Sequence, residues 1–301
     1  MKESVVDVVD VSRHFGKTLA LDGVNFTASQ GYVYGLVGAN GVGKTTLIKH
    51  LLGLYRTHSG SVRVFGQDPV AKPVEVLQRI GYMSEDRALP EWMRIDDLMR
   101  YTQAFHPNWD SAYARELLDA FQLDVTLQVK ELSKGMRAQT CLVAAVAHRP
   151  DLLIMDEPST GLDAVVRRDI LNVIVRTVAD DGRTVIFSSH LLEEVERMSD
   201  HVTMIHEGRI AFDGSLEEIK ECYRHTKVRF SDLQDEAPRL EGALSINGGG
   251  RAWNIIHEDS AEKFQTKLLA LGGEVVESRG VTLEEIFVAR VGRSGHAAEA
   301  A

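Results

Sequence analysis

Apolar residues along the first part of the chain come in short groups separated by polar or glycine-rich breaks. Val5 to Val11 predicts a strand, Ala20 to Thr27 a second, and Gly31 to Val37 a third that runs directly into a glycine-rich turn. From Lys44 to Leu52 the period lengthens to that of a helix, with Leu47, Ile48, Leu51 and Leu52 on one stripe. Gly60 to Phe65 and Gly81 to Met83 predict further strands. Between Pro90 and Ala147 the pattern becomes almost wholly helical, with Asp110 as the N-cap of a helix over Ser111 to Phe121. Strands return at Leu152 to Met155 and at Thr184 to Ser188, each followed by a helix. Their unbroken apolar runs are those of strands buried on both faces, and the alternation with helices predicts a parallel sheet. A hairpin over His201 to Ile205 and Arg209 to Phe212, turning at Glu207-Gly208, ends this part.

Near residue 225 the character changes. Weaker strands are expected at Lys227 to Phe230, Ala252 to Ile256 and Glu274 to Ser278, with a loop at Gly248-Gly249-Gly250. Two helices follow, roughly Ser260 to Leu271 and Val281 to Val291. The expected organisation is a domain over 1–225 with a helical part about 86–147, a small α+β domain over 226–292, and a disordered tail over 293–301.

Composition narrows the classes. A chain of 301 residues, 44% apolar and 26% charged, has ample material for a medium domain and an appendage. A net charge of −10 and the lack of any basic run argue against a nucleic-acid partner. Cys141 and Cys222 fit neither a disulfide framework nor a metal site, and read as thiols of a reducing compartment. Met1 to Asp10 lacks a basic start and an apolar centre, so it is not read as a signal peptide. No stretch approaches the about 20 apolar residues of a membrane span. A cytoplasmic protein is expected, reaching a bilayer only through another component.

The glycine-rich turn carries the first chemistry. Gly38-Ala39-Asn40-Gly41-Val42-Gly43-Lys44-Thr45 fits G-x-x-x-x-G-K-[ST] between a strand and a helix. Glycines let backbone N–H groups surround phosphates, and the next helix directs its positive end at them. Lys44 supplies a mobile charge to the β- and γ-phosphates, and Thr45 a hydroxyl to Mg²⁺; Thr46 is grouped with the same nucleotide site. Asp156 and Glu157 end the apolar strand at Leu152 to Met155. Beside a phosphate loop, Asp156 is placed to hold Mg²⁺ and Glu157 to orient or deprotonate the attacking water. Alone, the pair would also read as carboxylates at a helix start.

Leu132-Ser133-Lys134-Gly135-Met136, ahead of a helix expected to start near Arg137, resembles the LSGGQ signature of the ABC ATPase family, with Ser133 and Gly135 retained. The likeness extends in order through Thr160-Gly161-Leu162-Asp163, similar to the family's D-loop, and His190 after Phe187-Ser188-Ser189, similar to its switch histidine. Phe15 stands where the family stacks an aromatic ring on adenine, a role preferred here to the alternative of a core aromatic. The resemblance covers about residues 4 to 220 and implies a P-loop NTPase cassette of α/β class with an antiparallel β subdomain and a helical subdomain. It further implies two copies, or one copy and a second ABC ATPase as a pseudo-dimer, closing on two Mg-ATP. In each site the Ser133 and Gly135 end of one subunit, with Asp163 nearby, faces Lys44 and the glycine loop of the other. The expected partner is a separately encoded membrane permease on the inner face of the cell membrane, working as an exporter of a bacterial branch.

Departures from the family's pattern are informative. Glu85 stands where glutamine is usual; as a hard oxygen donor it would still meet the metal while adding negative charge. Lys134 and Met136 replace glycine and glutamine, and Lys134 is expected to offset Glu85 partly. Trp92 and Trp109 read equally as interface or core residues in the stretch where the family receives its permease. Thr282-Leu283-Glu284-Glu285-Ile286-Phe287 resembles the ending of bacterial exporter ATPases. Competing classes fit less well. A DNA-repair relative would carry coiled-coil insertions, a translation relative two cassettes, and a GTPase a base-reading Asn-Lys-x-Asp, and none is present.

Overall fold

Val5, Val6, Val8 and Val11 place one face of β1 (Ser4–Phe15) in the core, and β1 pairs antiparallel with β2 (Thr18–Ser29) through a turn at Gly16-Lys17. The hairpin outruns its expected length because pairing continues to Phe15 opposite Thr18. Next come β3 (Val33–Val37), α1 (Lys44–Leu51), β4 (Ser59–Val64), the short α2 (Pro73–Leu77) and β5 (Ile80–Met83). β4 joins the other edge of β1, giving an antiparallel sheet in the order β2-β1-β4. Leu47, Ile48 and Leu51 of α1 are fully buried, against a core shared with Leu36, Ile154 and Ile186.

The expected helical stretch contains three helices: α3 (Ile95–Gln103), α4 (Ser111–Ala120) and α5 (Lys134–Val146). Residues 84–94 are irregular instead, and Pro90 explains why helix cannot run through them. Asp110 caps α4 by accepting from the Tyr113 N–H at 2.9 Å. Helix α5 begins earlier than the sequence predicts, at Lys134, because the Ser133 hydroxyl accepts the Met136 N–H at 3.1 Å and so fixes the cap.

Next follow β6 (Leu152–Met155), α6 (Ala164–Ala179), β7 (Thr184–Ser189), α7 (Leu192–Met198), β8 (His201–His206) and β9 (Arg209–Ser215). They complete a second sheet in the order β5-β6-β7-β3-β8-β9. Its register sets Met83 beside Met155, Met155 beside Phe187 and Val37 beside Ser189, all in parallel pairs. The carboxyl ends of β5, β6, β7 and β3 therefore line one rim, where open α/β sheets place their ligands.

The structure describes residues 3–179, 182–234, 236–258 and 260–298 of this computed structural model, and contacts divide it into units 1–213 and 214–301. The division precedes the break expected at 225 and assigns α8 (Leu216–Cys222) to the second unit. There β10 (Arg224–Gln234), β11 (Ala243–His257) and β12 (Gly273–Gly280) form an antiparallel sheet in the order β11-β10-β12, with α9 (Ala261–Ala270) and α10 (Leu283–Ala298). The expected glycine loop lies within β11, which bends there: a Cβ on Gly248 would come within 2.4 Å of the Ala252 carbonyl oxygen. The exporter-like ending is a capping box, with Thr282 and Glu285 bonded reciprocally at 3.0 and 3.2 Å and Glu285 gripped by Arg279 at 2.6 and 2.9 Å. Helix α10 runs through the start of the expected tail to Ala298, and 299–301 lie outside the described residues. Among the described residues no helix is long and apolar enough to cross a membrane.

Candidate nucleotide site

The rim of the parallel sheet gathers chemistry from four strand ends. After β3, the glycine turn wraps back into α1, and its tightness has a packing cause as well as a ligand-binding one. A Cβ on Gly43, at φ 117°, would lie 2.5 Å from the Ala20 carbonyl oxygen. A Cβ on Gly38 would lie 2.4 Å from that of Ile205. No side chain fits either position, so the backbone N–H groups stay open to an anion.

Lys44 is 6% exposed, and its Nζ donates to the Gly38 and Ala39 carbonyls at 2.6 and 3.2 Å. It also sits 3.1 Å from Glu157 Oε1, an ionic contact rather than a well-angled hydrogen bond. Glu157 follows β6 with a φ of 49°, an uncommon conformation for glutamate that strain-bearing sites tolerate. Its other oxygen lies 2.7 Å from His190 Nδ1 and accepts from Thr160 Oγ1 at 3.1 Å. Burial pushes the Glu157 carboxyl up, but the His190 hydrogen bond and the Lys44 charge outweigh it and hold the pKa below the ordinary value. While Lys44 and His190 stay on it, Glu157 is a carboxylate and a weak base.

Asp156 is 1% exposed and accepts from Ser188 Oγ at 2.6 Å; that hydroxyl in turn accepts the Glu157 N–H at 2.9 Å. Ser188 thus sets both acidic residues, a role its sequence position at the end of β7 did not announce. The available signal was a buried hydroxyl interrupting the apolar Thr-Val-Ile-Phe run, the kind of residue that must find partners.

Of these side chains, Lys44 and Glu157 reach a cleft of about 240 Å³ whose lining is completed by Asn40, Gly41, Gly43, Thr45, Thr46 and Glu85. Glu85 enters this lining from the turn after β5. Thr45 and Glu85 line the cleft, whereas Asp156 is buried beside Glu157 outside the lining; together they are one hydroxyl and two carboxylates, hard-oxygen donors of the kind that suits Mg²⁺. Among the described residues no group of three or more His, Cys, Asp or Glu side chains forms a self-sufficient metal cage. A cation here would therefore take further oxygens from a phosphate ligand and water, as Mg²⁺ characteristically does.

The remaining expected site residues lie outside this lining. Phe15 is 41% exposed rather than core; its ring meets Tyr55 edge-on at 5.4 Å, and the Arg13 guanidinium lies 4.9 Å from its centroid. Asp163 caps α6, accepting the Val165 and Val166 N–H groups at 2.9 and 3.0 Å. Ser133 is exposed at the α5 N-terminus. Gly135 is hemmed by α6, where a Cβ would lie 2.8 Å from Val166 Cγ2. Trp92 is exposed and Trp109 half-buried, so neither is a core residue.

A second, larger depression of about 590 Å³ lies behind β5, bounded by Tyr82, Leu89, Phe105, Cys141 and the stacked rings of His106 and His148, whose centroids are 3.7 Å apart. Its walls suppress charge. Burial lowers the His106 pKa and takes His148 down to about 4, and raises Cys141 and Tyr82 to about 12.

Comparison with known proteins agrees with this geometry. The family model described as ABC transporter matches residues 21–160. The chain is 33% identical to the Nod factor export ATP-binding protein I of Burkholderia lata, over 97% of the chain and 99% of that protein. It is 29% identical to the ABC transporter ATP-binding protein YtrB of Bacillus subtilis, over 96% of the chain and 98% of that protein. A solved structure described as the ATP binding subunit of an ABC transporter superposes with a TM-score of 0.67 at 28% identity, covering 72% of the chain and 92% of that structure.

Proposed function

This chain belongs to the ABC transporter ATP-binding protein family, and from that premise we propose that two copies close over two Mg-ATP to drive a separate membrane permease, in the direction of export. The chain is an ATPase, as its family is, and an ATP-binding subunit of a transporter. One observation carries the finer reading: the buried Lys44 and Glu157 and the exposed His190 form one chain of contacts, and Lys44 and Glu157 line a cleft together with Thr45 and Glu85.

These contacts account for how binding readies hydrolysis. Lys44 is held on Glu157 and on two loop carbonyls until a γ-phosphate offers it denser negative charge. Once Lys44 leaves, Glu157 keeps the His190 and Thr160 contacts but loses a cation, so its basicity rises. It then orients the attacking water and draws its proton, with His190 holding the carboxylate in place. Thr45, Glu85 and Asp156 are the residues that would hold Mg²⁺, which when bound neutralises phosphate charge. Phe15, backed by Tyr55 and Arg13, is the adenine platform in this reading.

Ser133 and Gly135 do not line the cleft of their own chain, which supports their working on a second copy's nucleotide from the α5 N-terminus. The 590 Å³ depression, apolar and close to the Glu85 turn, is where the permease would seat a helix, on the cytoplasmic membrane face. Export rests on the relative whose name states it. The experiment is Glu157→Gln. ATP binding should persist, turnover should nearly vanish, and an ATP-bound dimer should accumulate on size exclusion; full turnover would remove Glu157 from its role.

A further inference from the structure

Arg87 is 8% exposed, yet among the described residues no carboxylate lies within ion-pair distance of its guanidinium. Nη2 instead donates to two backbone carbonyls, Pro158 at 3.1 Å and Thr160 at 2.8 Å. Burying a cation on neutral carbonyls is unfavourable, and burial lowers the Arg87 pKa accordingly. Its backbone is held in the left-handed region as well, at φ 48°. A residue carrying both penalties is retained for what it fixes.

It fixes two segments to one another. Arg87 closes the turn that begins at Ser84, its N–H donating to the Ser84 carbonyl at 3.1 Å while the Ser84 hydroxyl bonds Asp86 at 2.6 Å. Glu85 is carried on that turn into the cleft. The carbonyls that Arg87 grips belong to the loop immediately after Glu157, and Thr160 also donates its hydroxyl to the Glu157 carboxylate at 3.1 Å. The next residues, Ala88 and Leu89, already line the apolar depression. Arg87 is thus a strut between the two cleft walls, adjoining the surface behind them.

We infer that Arg87 is a positioning residue for hydrolysis: its guanidinium holds the Glu85 turn and the loop after Glu157 at the spacing that in-line attack needs. It rests on the reading of Glu157 as the water-orienting carboxylate. Arg is suited to this because the two N–H bonds of Nη2 are fixed in the guanidinium plane and serve both carbonyls in one geometry, which a freely rotating lysine ammonium does not. Misplacement of a catalytic group by about 1 Å can lower rate on the order of a hundredfold.

The test measures kcat and KM for ATP with the full chain carrying Arg87→Ala, Arg87→Lys or Glu157→Gln, at a temperature where melting curves show each variant folded. Arg87→Ala should lower kcat by roughly tenfold or more with KM changed less than about twofold, and added guanidinium ion at millimolar concentration should restore part of the rate. Arg87→Lys should fall between, and it serves alone if Arg87→Ala does not fold. A kcat within about twofold of the parent in the folded variants, or a loss that tracks melting temperature without rescue, would overturn the inference. Glu157→Gln separates the two ideas. Normal turnover there sinks the underlying reading, whereas a dead Glu157→Gln beside a fully active Arg87→Ala sinks only the strut.

Discussion

The cleft and the depression behind β5 share strand ends but treat charge in opposite ways. In the cleft, Lys44, His190 and Thr160 keep Glu157 ionised despite burial. In the depression, burial outweighs the partners that oppose it, such as the Ile80 carbonyl on His148 and the Arg87 charge near Cys141, and His106, His148, Cys141 and Tyr82 are all driven toward their neutral forms. The first surface suits a polyanion with its metal and the second an apolar helix. They meet at the turn over 84–87. The lesson is that one short turn separates a site built for charge from a site built against it.

The largest break in that contrast is Glu157→Gln, which removes the charge the cleft is arranged around. Turnover should fall by roughly 100-fold or more in a steady-state ATPase assay while nucleotide still binds. Lys44→Ala should act on binding itself, weakening ATP affinity by roughly 10- to 100-fold in a fluorescence titration, as loss of a charge-assisted contact implies. On the other surface the effect is on stability. His148 is neutral in the fold down to about pH 4, whereas an unfolded histidine takes up its proton near pH 6.5. Stability is therefore full above about pH 6.5 and declines as pH falls toward 4, by at most a few kcal/mol. His148→Asn should flatten that slope in melting curves taken across the range. An unchanged slope would mean that the depression does not exclude charge as argued.

The smallest effect concerns Glu85 and Lys134. Glu85 lines the cleft and Lys134 does not, so any compensation between them acts across two copies. ATPase rates of Glu85→Gln, Lys134→Gly and the double variant should depart from additivity by about 0.5 kcal/mol or more; simple additivity would refute it.

What could be read from the chain follows from how local each cause is. The glycine turn with Lys44 and Thr45, and the Asp156-Glu157 pair, are contiguous strings whose chemistry depends only on a strand before and a helix after. Their meeting was legible too, since parallel strands put those ends on one rim. Arg87 was not legible. Its partners lie 71 and 73 residues away and are backbone carbonyls, which leave no mark in side-chain pattern. In the sequence Ser188 marks no more than the approach to His190, because a hydroxyl bridging two acidic residues is invisible until the strands are paired. The start of α5 at Lys134 rather than near Arg137 comes from the Ser133 cap, which overrides the poor helix preference of Gly135. The glycines at 248–250 were read as a loop by the same local logic, yet strand pairing on either side draws them into β11.

The missing side chain at Gly135 has a mechanical corollary. With Val166 within 2.8 Å of where a Cβ would stand, and Val166 itself bonded to Asp163, the heads of α5 and α6 are butted together. The two caps, Ser133 and Asp163, therefore sit on either side of one tight joint and form a single jaw. Alanine at 135 would act as a shim in that joint, tilting the jaw without touching any residue of the cleft.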